Sequence, residues 1–120
     1  MQGKHEIGMK GQDAAERFLR KNGYRIITRN WKTRAGEIDL VAKHKNGIAF
    51  IEVKALVAPR SPFQPEDHFT FPKKERIKRL ALMFLSRYNL APAGYQIDLV
   101  AVDLNEDLTV REVRHYPRAG

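Results

Sequence analysis

The sequence predicts an α/β fold in which seven elements follow in the order α-β-β-β-α-β-β. Three observations support this class. A long helical pattern occupies the second half, short runs rich in β-branched residues lie before and after it, and another amphipathic segment lies near the N-terminus. At 120 residues the chain has the size of one ordinary domain, so we expect residues 1–120 to form a single domain.

The first half of the chain reads as one helix and three strands. Residues 8–22 carry apolar side chains at helical spacing, and Gly23 follows as a helix stop signal. Asn46 and Gly47 separate the second and third strands, so we expect a β-hairpin with a two-residue turn. The three strand segments are YRIITRNW, GEIDLVAK and IAFIEVKAL.

The second half reads as a loop, one helix and two strands. Residues 57–71 contain several prolines and no usable period, which predicts a long loop. From Pro72 onward the apolar residues recur at i, i+3, i+4, i+7, i+8 and i+11, which predicts a helix with one buried face. They are Ile77, Leu80, Ala81, Phe84, Leu85 and Tyr88. The segments YQIDLVAVDL and LTVREVRHY then predict two strands joined by the acidic turn 105–107.

Composition favours a soluble protein with a polyanionic partner. No apolar run reaches the roughly 20 residues of a membrane span, and the first residues lack a signal peptide, so we expect a cytoplasmic location and no membrane association. The chain contains no cysteine, which excludes disulfides and thiolate metal sites and leaves a hard metal as the expected kind. A formal net charge of +8 favours nucleic acid, although an anionic membrane surface or an acidic protein would suit the same charge.

The pentapeptide IDLVA occurs twice, at residues 38–42 and 97–101. A true internal repeat would share its flanking residues as well, and these flanks differ. We therefore interpret the two copies as two buried strands of similar composition. Their aspartates, Asp39 and Asp98, are judged separately, and only Asp39 is followed by a segment of the form E-x-K.

The predicted hairpin turn sets the register of the two strands around Asp39. If Asn46 and Gly47 form the turn, Asp39 lies opposite Lys54 and Val41 lies opposite Glu52. Asp39 and Glu52 then become diagonal neighbours, about 7 Å apart at the backbone. Two carboxylates at this separation could converge on one hard cation such as Mg²⁺.

Side-chain alternation extends this arrangement to a whole face of the hairpin. Opposed residues point to the same side, so one face carries four charged side chains and the other is apolar. A ladder of salt bridges on a solvated face is the alternative interpretation. Burial among apolar neighbours argues against it, because unpaired buried charges are costly. The charged face comprises Glu37, Asp39, Glu52 and Lys54; the apolar face comprises Ile38, Leu40, Ile51 and Val53.

The predicted second helix begins with a basic cluster of Lys73, Lys74 and Arg76. The helix dipole disfavours a cation in the first turn by about 0.3–1 kcal/mol at an exposed site. A bound anion would reverse that cost, because the amides at a helix start and the basic side chains together attract phosphate. We therefore predict that these three residues bind nucleic acid; a solvated charged face is the alternative.

These residues carry a resemblance to a known family. Asp39, followed after twelve residues by Glu52-Val53-Lys54, resembles the D-x(n)-E-x-K signature of the restriction-endonuclease-like nuclease superfamily. More narrowly, RNW, GEIDLVA and FIEVK, placed between an N-terminal helix and a basic second helix, are similar to the YraN family. That family is itself similar to archaeal Holliday-junction resolvases. The resemblance covers about residues 8–102.

The resemblance implies a restriction-endonuclease-like core, with a central mixed β-sheet flanked by helices, and a metal-dependent DNA endonuclease activity. It implies that Asp39, Glu52 and the main-chain carbonyl of Val53 hold Mg²⁺ or Mn²⁺. Lys54 would then lie beside the attacking water and offset negative charge in the transition state. Branched or Holliday-junction-like DNA is the expected substrate, and a homodimer is the expected assembly, because resolvases act on two strands in symmetric partners.

The sequence departs from the family pattern at two places, and both favour a second interpretation. Relatives usually present a glutamate from the N-terminal helix, whereas this chain has Gln12; Glu16, one turn further, is a candidate substitute. Lys54 is followed by Ala-Leu where relatives commonly continue with Thr and Arg. The alternatives are a non-catalytic nucleic-acid-binding module on the same fold and a protein-interaction module that uses the proline-rich loop. Glu37 and Asp98 are predicted to have auxiliary or structural roles.

Overall fold

The computed structural model describes residues 3–45, 47–58, 64–90 and 94–120. No helix within these ranges is both long and apolar enough to cross a membrane. The element order confirms the predicted α-β-β-β-α-β-β arrangement. The elements are α1 Lys4–Lys21, β1 Arg25–Thr33, β2 Gly36–His44, β3 Gly47–Val57, a short 3₁₀ turn Pro65–His68, α2 Phe71–Arg87, β4 Tyr95–Leu104 and β5 Val110–Tyr116.

The strands form one five-stranded sheet in the order β1-β2-β3-β4-β5. β3 and β4 run parallel, and the other neighbouring pairs are antiparallel, so the sheet is mixed as predicted. Parallel neighbours need a long crossover connection, which the segment containing α2 supplies. α1 packs against one face of the sheet, and α2 packs against the other.

Each helix covers its face with an apolar cluster. On the α1 side Ala15 and Leu19 are fully buried, and on the α2 side Leu80 and Phe84 are buried as the helical pattern predicts. Fully burying a large apolar side chain contributes about 1.5–3 kcal/mol, so these two clusters supply most of the favourable free energy of folding. Together they fix both helices relative to the strands in the centre of the sheet.

Gly11 allows α1 to approach β3 unusually closely. A Cβ atom added at Gly11 would lie 2.5 Å from the Cβ of Ala55, which is closer than two carbon atoms can pack. The close approach brings the next residue, Gln12, to the strands below. α1 ends at Lys21, and Gly23 follows with a φ of 87°, which confirms the predicted stop.

The register of the β2–β3 hairpin differs from the prediction by two residues. His44 pairs with Gly47, so residues 45 and 46 lie between the paired ends, and Val41 faces Phe50 instead of Glu52. Lys45 adopts a φ of 55°. The reason lies outside the hairpin: a Cβ at Gly47 would come within 2.6 Å of the Gly94 carbonyl oxygen. Gly47 is thus used for close packing within the strand, while the turn lies before it.

The long connection after β3 was predicted as a loop without structure. Residues 59–63 lie outside the described part of the chain, but Pro65–His68 form a 3₁₀ turn that is fastened to β5. Arg114 donates to Glu66 at 3.1 Å and to Asp103 at 2.8 Å, and Tyr116 donates to Glu66 at 2.6 Å. The Arg114 guanidinium lowers the pKa of Glu66 to about 2. This contact fixes the segment that leads into α2.

Replacing Arg114 by methionine is expected to loosen the 3₁₀ turn and to lower the free energy of unfolding by about 1 kcal/mol, the size of a partly exposed ion pair. Because the pKa of Glu66 is lowered, this contribution exists above the ordinary pKa of a glutamate and disappears as the pH falls towards 2. Urea denaturation at pH 7 and hydrogen exchange of residues 64–72 would measure both effects. Exchange in that segment equal to the wild type would contradict the assignment; Arg111→Met, an exposed change on β5, is the control.

Candidate active site

β1 and β2 both change the face to which their side chains point, at Asn30 and Asp39. In β2, Ile38 belongs to the cluster under α2, while Leu40 belongs to the cluster under α1, although alternation would place them on one side. In β1, Trp31 lies in the α2 cluster, whereas Arg29 reaches Asp13 on α1. Asn30 and Asp39 lie between the same two paired positions, Arg29–Leu40 and Trp31–Ile38. Asn30 has a φ of 51°, a conformation that asparagine tolerates better than most residues.

This change corrects the predicted arrangement of the hairpin faces. Ile38 and Leu40 do not share one apolar face, and Asp39 lies at the point where β2 separates from β3. The last β2–β3 pair before that point is Leu40–Ile51. Beyond it the Asp39 carboxylate accepts the Val53 backbone N–H at 2.8 Å, which replaces a ladder hydrogen bond. Asp39 is therefore held in position by the main chain of β3.

The structure brings Asp39 and Glu52 together, as predicted, although by this different route. The two carboxyl groups are neighbours, because the charge of Glu52 acts on Asp39, and Glu52 is only 9% exposed. Burial raises the pKa of Asp39 to about 7, and the negative charge of Glu52 adds to that effect. The Val53 hydrogen bond opposes the shift, and the charge of Glu37 contributes a smaller increase. A pair of carboxyl groups in this state attracts a cation or keeps a proton.

Two lysines lie on the same side of β3 as Glu52. Lys73, in the first turn of α2, forms an ion pair with Glu52 at 2.7 Å between Nζ and Oε2. Lys54 follows Glu52 by two residues, so strand alternation turns it to the same side, and it is half-buried. Among the described residues, Lys54 has no acidic partner within 4.0 Å.

The other two predicted nucleic-acid-binding residues of α2 have different surroundings. Lys74 lies 5.2 Å from the centre of the Phe69 ring, in a cation–π arrangement. Arg76 is exposed, and its side chain passes Gly36 at the start of β2. The basic cluster of α2 thus divides into one lysine that binds Glu52, one lysine over the Phe69 ring and one exposed arginine.

Gln12 links α1 to the Asp39 position. Its side-chain amide donates to Asn30 Oδ1 at 2.9 Å and to Asp39 Oδ1 at 3.5 Å. The amide thus holds together the two residues at which the strands change face. Its approach depends on the neighbouring Gly11, because that glycine lets α1 lie close to the sheet. In this arrangement Gln12 steadies Asp39 through a hydrogen bond and contributes no negative charge.

Three other predicted auxiliary residues lie apart from the carboxylate pair or at its edge. Glu16 binds Arg20 at 2.8 Å and Arg29 at 3.4 Å, and no contact between described residues joins it to Asp39 or Glu52. Glu37 is exposed and affects Asp39 through its charge. Asp98 pairs with Ile51 in the β3–β4 register and so lies on the α1 side, opposite to Glu52.

Asp98 is the centre of a separate buried polar cluster. Its carboxylate accepts hydrogen bonds from Tyr24 at 3.0 Å, Gln96 at 2.9 Å and the Arg118 backbone N–H at 3.0 Å. His115 Nε2 lies 2.8 Å from the same carboxylate. Burial alone would raise the pKa of Asp98, but the hydrogen bonds from His115, Arg118, Gln96 and Tyr24 together lower it. This environment supports the structural role predicted for Asp98.

The carboxylate pair has the chemistry that a hard divalent cation requires. Mg²⁺ and Mn²⁺ bind one or two carboxylates and complete their coordination with carbonyl, water and phosphate oxygens. Asp39 and Glu52 would supply the carboxylates, and Val53, whose N–H binds Asp39, follows Glu52 directly in β3 and could supply a carbonyl oxygen. The described residues contain no group of three or more Asp, Glu, His or Cys side chains suited to one ion. The protein would therefore fill only part of the coordination shell.

The sequence did not predict two contacts of this site, the Lys73–Glu52 ion pair and the Gln12–Asn30 hydrogen bond. Both join residues that are far apart in the chain, so no local spacing indicates them. The one available signal was Asn30, because asparagine within a strand run is a candidate for a positive φ and a change of face.

Replacing Gln12 by glutamate is expected to raise the affinity for Mn²⁺ by about 10-fold, because a third carboxylate joins Asp39 and Glu52. In a chelator the same change should lower the melting temperature, because like charges are then brought together. Isothermal titration with Mn²⁺ and thermal unfolding in EDTA would measure the two effects, with Gln12→Ala as the uncharged control. An affinity equal to that of Gln12→Ala would contradict the expectation that residue 12 can join Asp39 and Glu52 in binding Mn²⁺.

Replacing Asp39 by asparagine is expected to stabilise the metal-free protein at neutral and alkaline pH. The folded state raises the pKa of Asp39 from 3.8 to about 7. The stabilisation that the bound proton gives the wild type is therefore complete below pH 3.8 and is lost as the pH rises through 7. Asparagine stays neutral and still accepts the Val53 N–H. Its stability relative to the wild type should therefore grow between those pH values and remain constant above them.

Urea denaturation in EDTA from pH 5 to 8.5 would test this expectation. Glu106→Gln, at an exposed acid in the turn after β4, is the control for loss of a negative charge. A difference between Asp39→Asn and the wild type that does not change with pH would contradict the raised pKa.

Comparison with known sequences identifies relatives along nearly the whole chain. Residues 11–102 match the uncharacterised protein family UPF0102. A UPF0102 protein of Desulfosudis oleivorans is 40% identical over 112 residues, which is 93% of this chain and 89% of that protein. One of Caldicellulosiruptor saccharolyticus is 36% identical over 102 residues, covering 85% and 86%. One of Symbiobacterium thermophilum is 38% identical over 105 residues, covering 88% of each. The chain therefore belongs to the UPF0102 family, which confirms the resemblance to YraN proteins noted from its motifs.

Proposed function

We propose that this protein is a metal-dependent endonuclease that hydrolyses phosphodiester bonds in DNA. The observation that carries the proposal is the convergence of the Asp39 and Glu52 carboxyl groups, with Lys54 on the same side of β3. Asp39, Glu52 and the Val53 carbonyl would hold Mg²⁺ or Mn²⁺. The proposal also includes the cytoplasmic location expected from the sequence.

The side chains of the site would have different roles in the hydrolysis. A bound divalent cation supplies charge neutralisation at the phosphoryl group and a more acidic water. Lys54 orients the attacking water and donates to the oxygens on which negative charge develops. Asp39 is held in place by Val53 and Gln12, so its oxygens need little rearrangement to bind the cation. Lys74 and Arg76 attract the DNA backbone to the start of α2.

The type of nuclease follows from the sequence resemblance. Asp39, Glu52 and Lys54 fit the D-x(n)-E-x-K signature of the restriction-endonuclease-like superfamily, and a mixed sheet between two helices is compatible with its core. Similarity to archaeal Holliday-junction resolvases supports branched DNA as the substrate and a homodimer as the active assembly. The net charge of +8 is suited to binding the DNA backbone.

A non-catalytic nucleic-acid-binding protein is the second candidate function. The observation that favours it is the uncharged Gln12, whose amide donates a hydrogen bond to Asp39. With two carboxylates and no third acid, the affinity for a metal ion could be too low to support hydrolysis. On this alternative the basic residues bind DNA, and Asp39 and Glu52 keep only a structural role.

A cleavage assay separates the two candidates. Labelled four-way junction, flap, single-stranded and duplex DNA would be incubated with the protein in Mg²⁺, Mn²⁺ or EDTA, alongside Asp39→Ala and Glu52→Ala. Gel shifts at two salt concentrations would report binding. The nuclease proposal expects metal-dependent cutting that both variants lose while they still bind DNA. Salt-sensitive binding without cutting by any form would establish the binding protein instead.

A further inference from the structure

The ion pair between Lys73 and Glu52 places a cation beside the carboxylates proposed to hold a metal. Nζ and Oε2 are 2.7 Å apart, and the two side chains are only 25% and 11% exposed. Lys73 lies in the first turn of α2, where the helix dipole disfavours a positive charge. The interaction with Glu52, and not the helix, is therefore what makes this position favourable for an ammonium group.

The charges around Glu52 explain why such a cation is needed. Two neighbouring carboxyl groups in a largely buried position cannot both be ionised at little cost unless a positive charge compensates them. The Asp39 carboxylate accepts the Val53 backbone N–H at 2.8 Å, and Glu52 binds the Lys73 ammonium group at 2.7 Å. A divalent cation bound to the same two carboxylates would satisfy both at once and would leave no favourable place for the ammonium group.

We propose that Lys73 is a resident counter-cation of the Asp39–Glu52 site, which competes with the metal ion for Glu52 and moves away when the metal binds. The inference rests on the proposed metal site. A lysine suits this role because its charge sits at the end of a flexible four-carbon chain that can turn aside without moving the backbone. Once displaced, the ammonium group remains at the start of α2, beside Lys74 and Arg76, where it can bind a DNA phosphate.

Lys74 provides a matched comparison in the same helical turn. It carries the same charge, but its ammonium group lies over the Phe69 ring instead of at Glu52. Removing Lys73 should therefore relieve competition at the metal site, whereas removing Lys74 changes only the general positive potential. Lys73→Arg adds a second control, since it keeps a positive charge that can still bind Glu52.

The test is the affinity for Mn²⁺ of the DNA-free protein, measured by the paramagnetic resonance signal of free Mn²⁺. The proteins compared are the wild type, Lys73→Met, Lys73→Arg, Lys74→Met and Asp39→Ala. We expect Lys73→Met to bind Mn²⁺ about 10-fold more tightly, which is a typical size for coupling between two binding events. Lys73→Arg and Lys74→Met should stay within about 3-fold of the wild type, below the usual range of such coupling. Circular dichroism would verify that each variant is folded.

Two other results would overturn the inference, and they differ in whether the proposed metal site also fails. If the wild type binds Mn²⁺ and Lys73→Met binds it equally or more weakly, Lys73 does not compete with the metal, and the proposed metal site stands without this inference. If neither the wild type nor Lys73→Met binds Mn²⁺, or if Asp39→Ala binds it as the wild type does, the proposed metal site and the inference both fail.

Discussion

Replacing Lys54 by methionine is expected to slow metal-dependent DNA cleavage by about 10²- to 10³-fold, the usual cost of losing one donor that stabilises transition-state charge. Mn²⁺ binding should be retained, because the carboxylates of Asp39 and Glu52 are unchanged. Methionine preserves most of the side-chain volume, and the half-buried position of Lys54 tolerates an apolar group.

Cleavage rates at saturating DNA and Mn²⁺ titrations of the same preparation would separate these two effects. Lys43→Met, at an exposed position on β2, is the control for the general loss of a positive charge. Rates equal to those of Lys43→Met would show that Lys54 takes no part in the reaction. Loss of Mn²⁺ binding in Lys54→Met would instead point to a structural role for this residue.

Replacing Asp98 by alanine is expected to lower the free energy of unfolding by about 3 kcal/mol or more, because a buried polar network loses its shared acceptor. The side chain is fully buried, and Tyr24, Gln96 and the Arg118 backbone N–H all donate to it. Each of those groups would be left without its partner on the α1 side of the sheet. Loss of the carboxylate's volume adds a small cavity to this cost.

Urea denaturation at pH 7 would measure the change, with Glu106→Ala as the control for removal of an exposed carboxylate. The hydrogen bonds to Asp98 lower its pKa, so the ionised carboxylate stabilises the folded protein above pH 3.8. This contribution to the free energy of unfolding is lost as the pH falls below that value. Acid unfolding of the wild type should reflect this loss. A destabilisation no larger than that of Glu106→Ala would contradict the central place given to Asp98.

The order of elements was predictable because it depends on patterns that lie within a few residues. In α2, the buried positions Ile77, Leu80 and Phe84 follow directly from the helical period. The hairpin register was not predictable from the same kind of information. Asn-Gly is a preferred two-residue turn, yet Gly47 is needed for the close contact with Gly94, so the turn falls before it.

The residues of the candidate site could be predicted from the sequence, but their geometry could not. Strand alternation was enough to expect Asp39 and Glu52 near each other, because an even shift of register leaves each strand's faces unchanged. The change of face at Asn30, the Val53 hydrogen bond and the approach of Lys73 depend on contacts between distant segments. Lys73 was expected to bind a phosphate on its sequence position alone, whereas in the fold its nearest charge is Glu52.

The central claim is that Asp39 and Glu52 share a divalent cation, and the most direct test is crystallographic. Crystals grown with Mn²⁺ would be measured near the manganese absorption edge, and an anomalous difference map would locate the ion. We expect one strong peak between the two carboxylates, within coordination distance of the Val53 carbonyl oxygen, and no such peak in Asp39→Ala crystals. A wild-type map with manganese only at other positions, while Lys73 still binds Glu52, would contradict the claim.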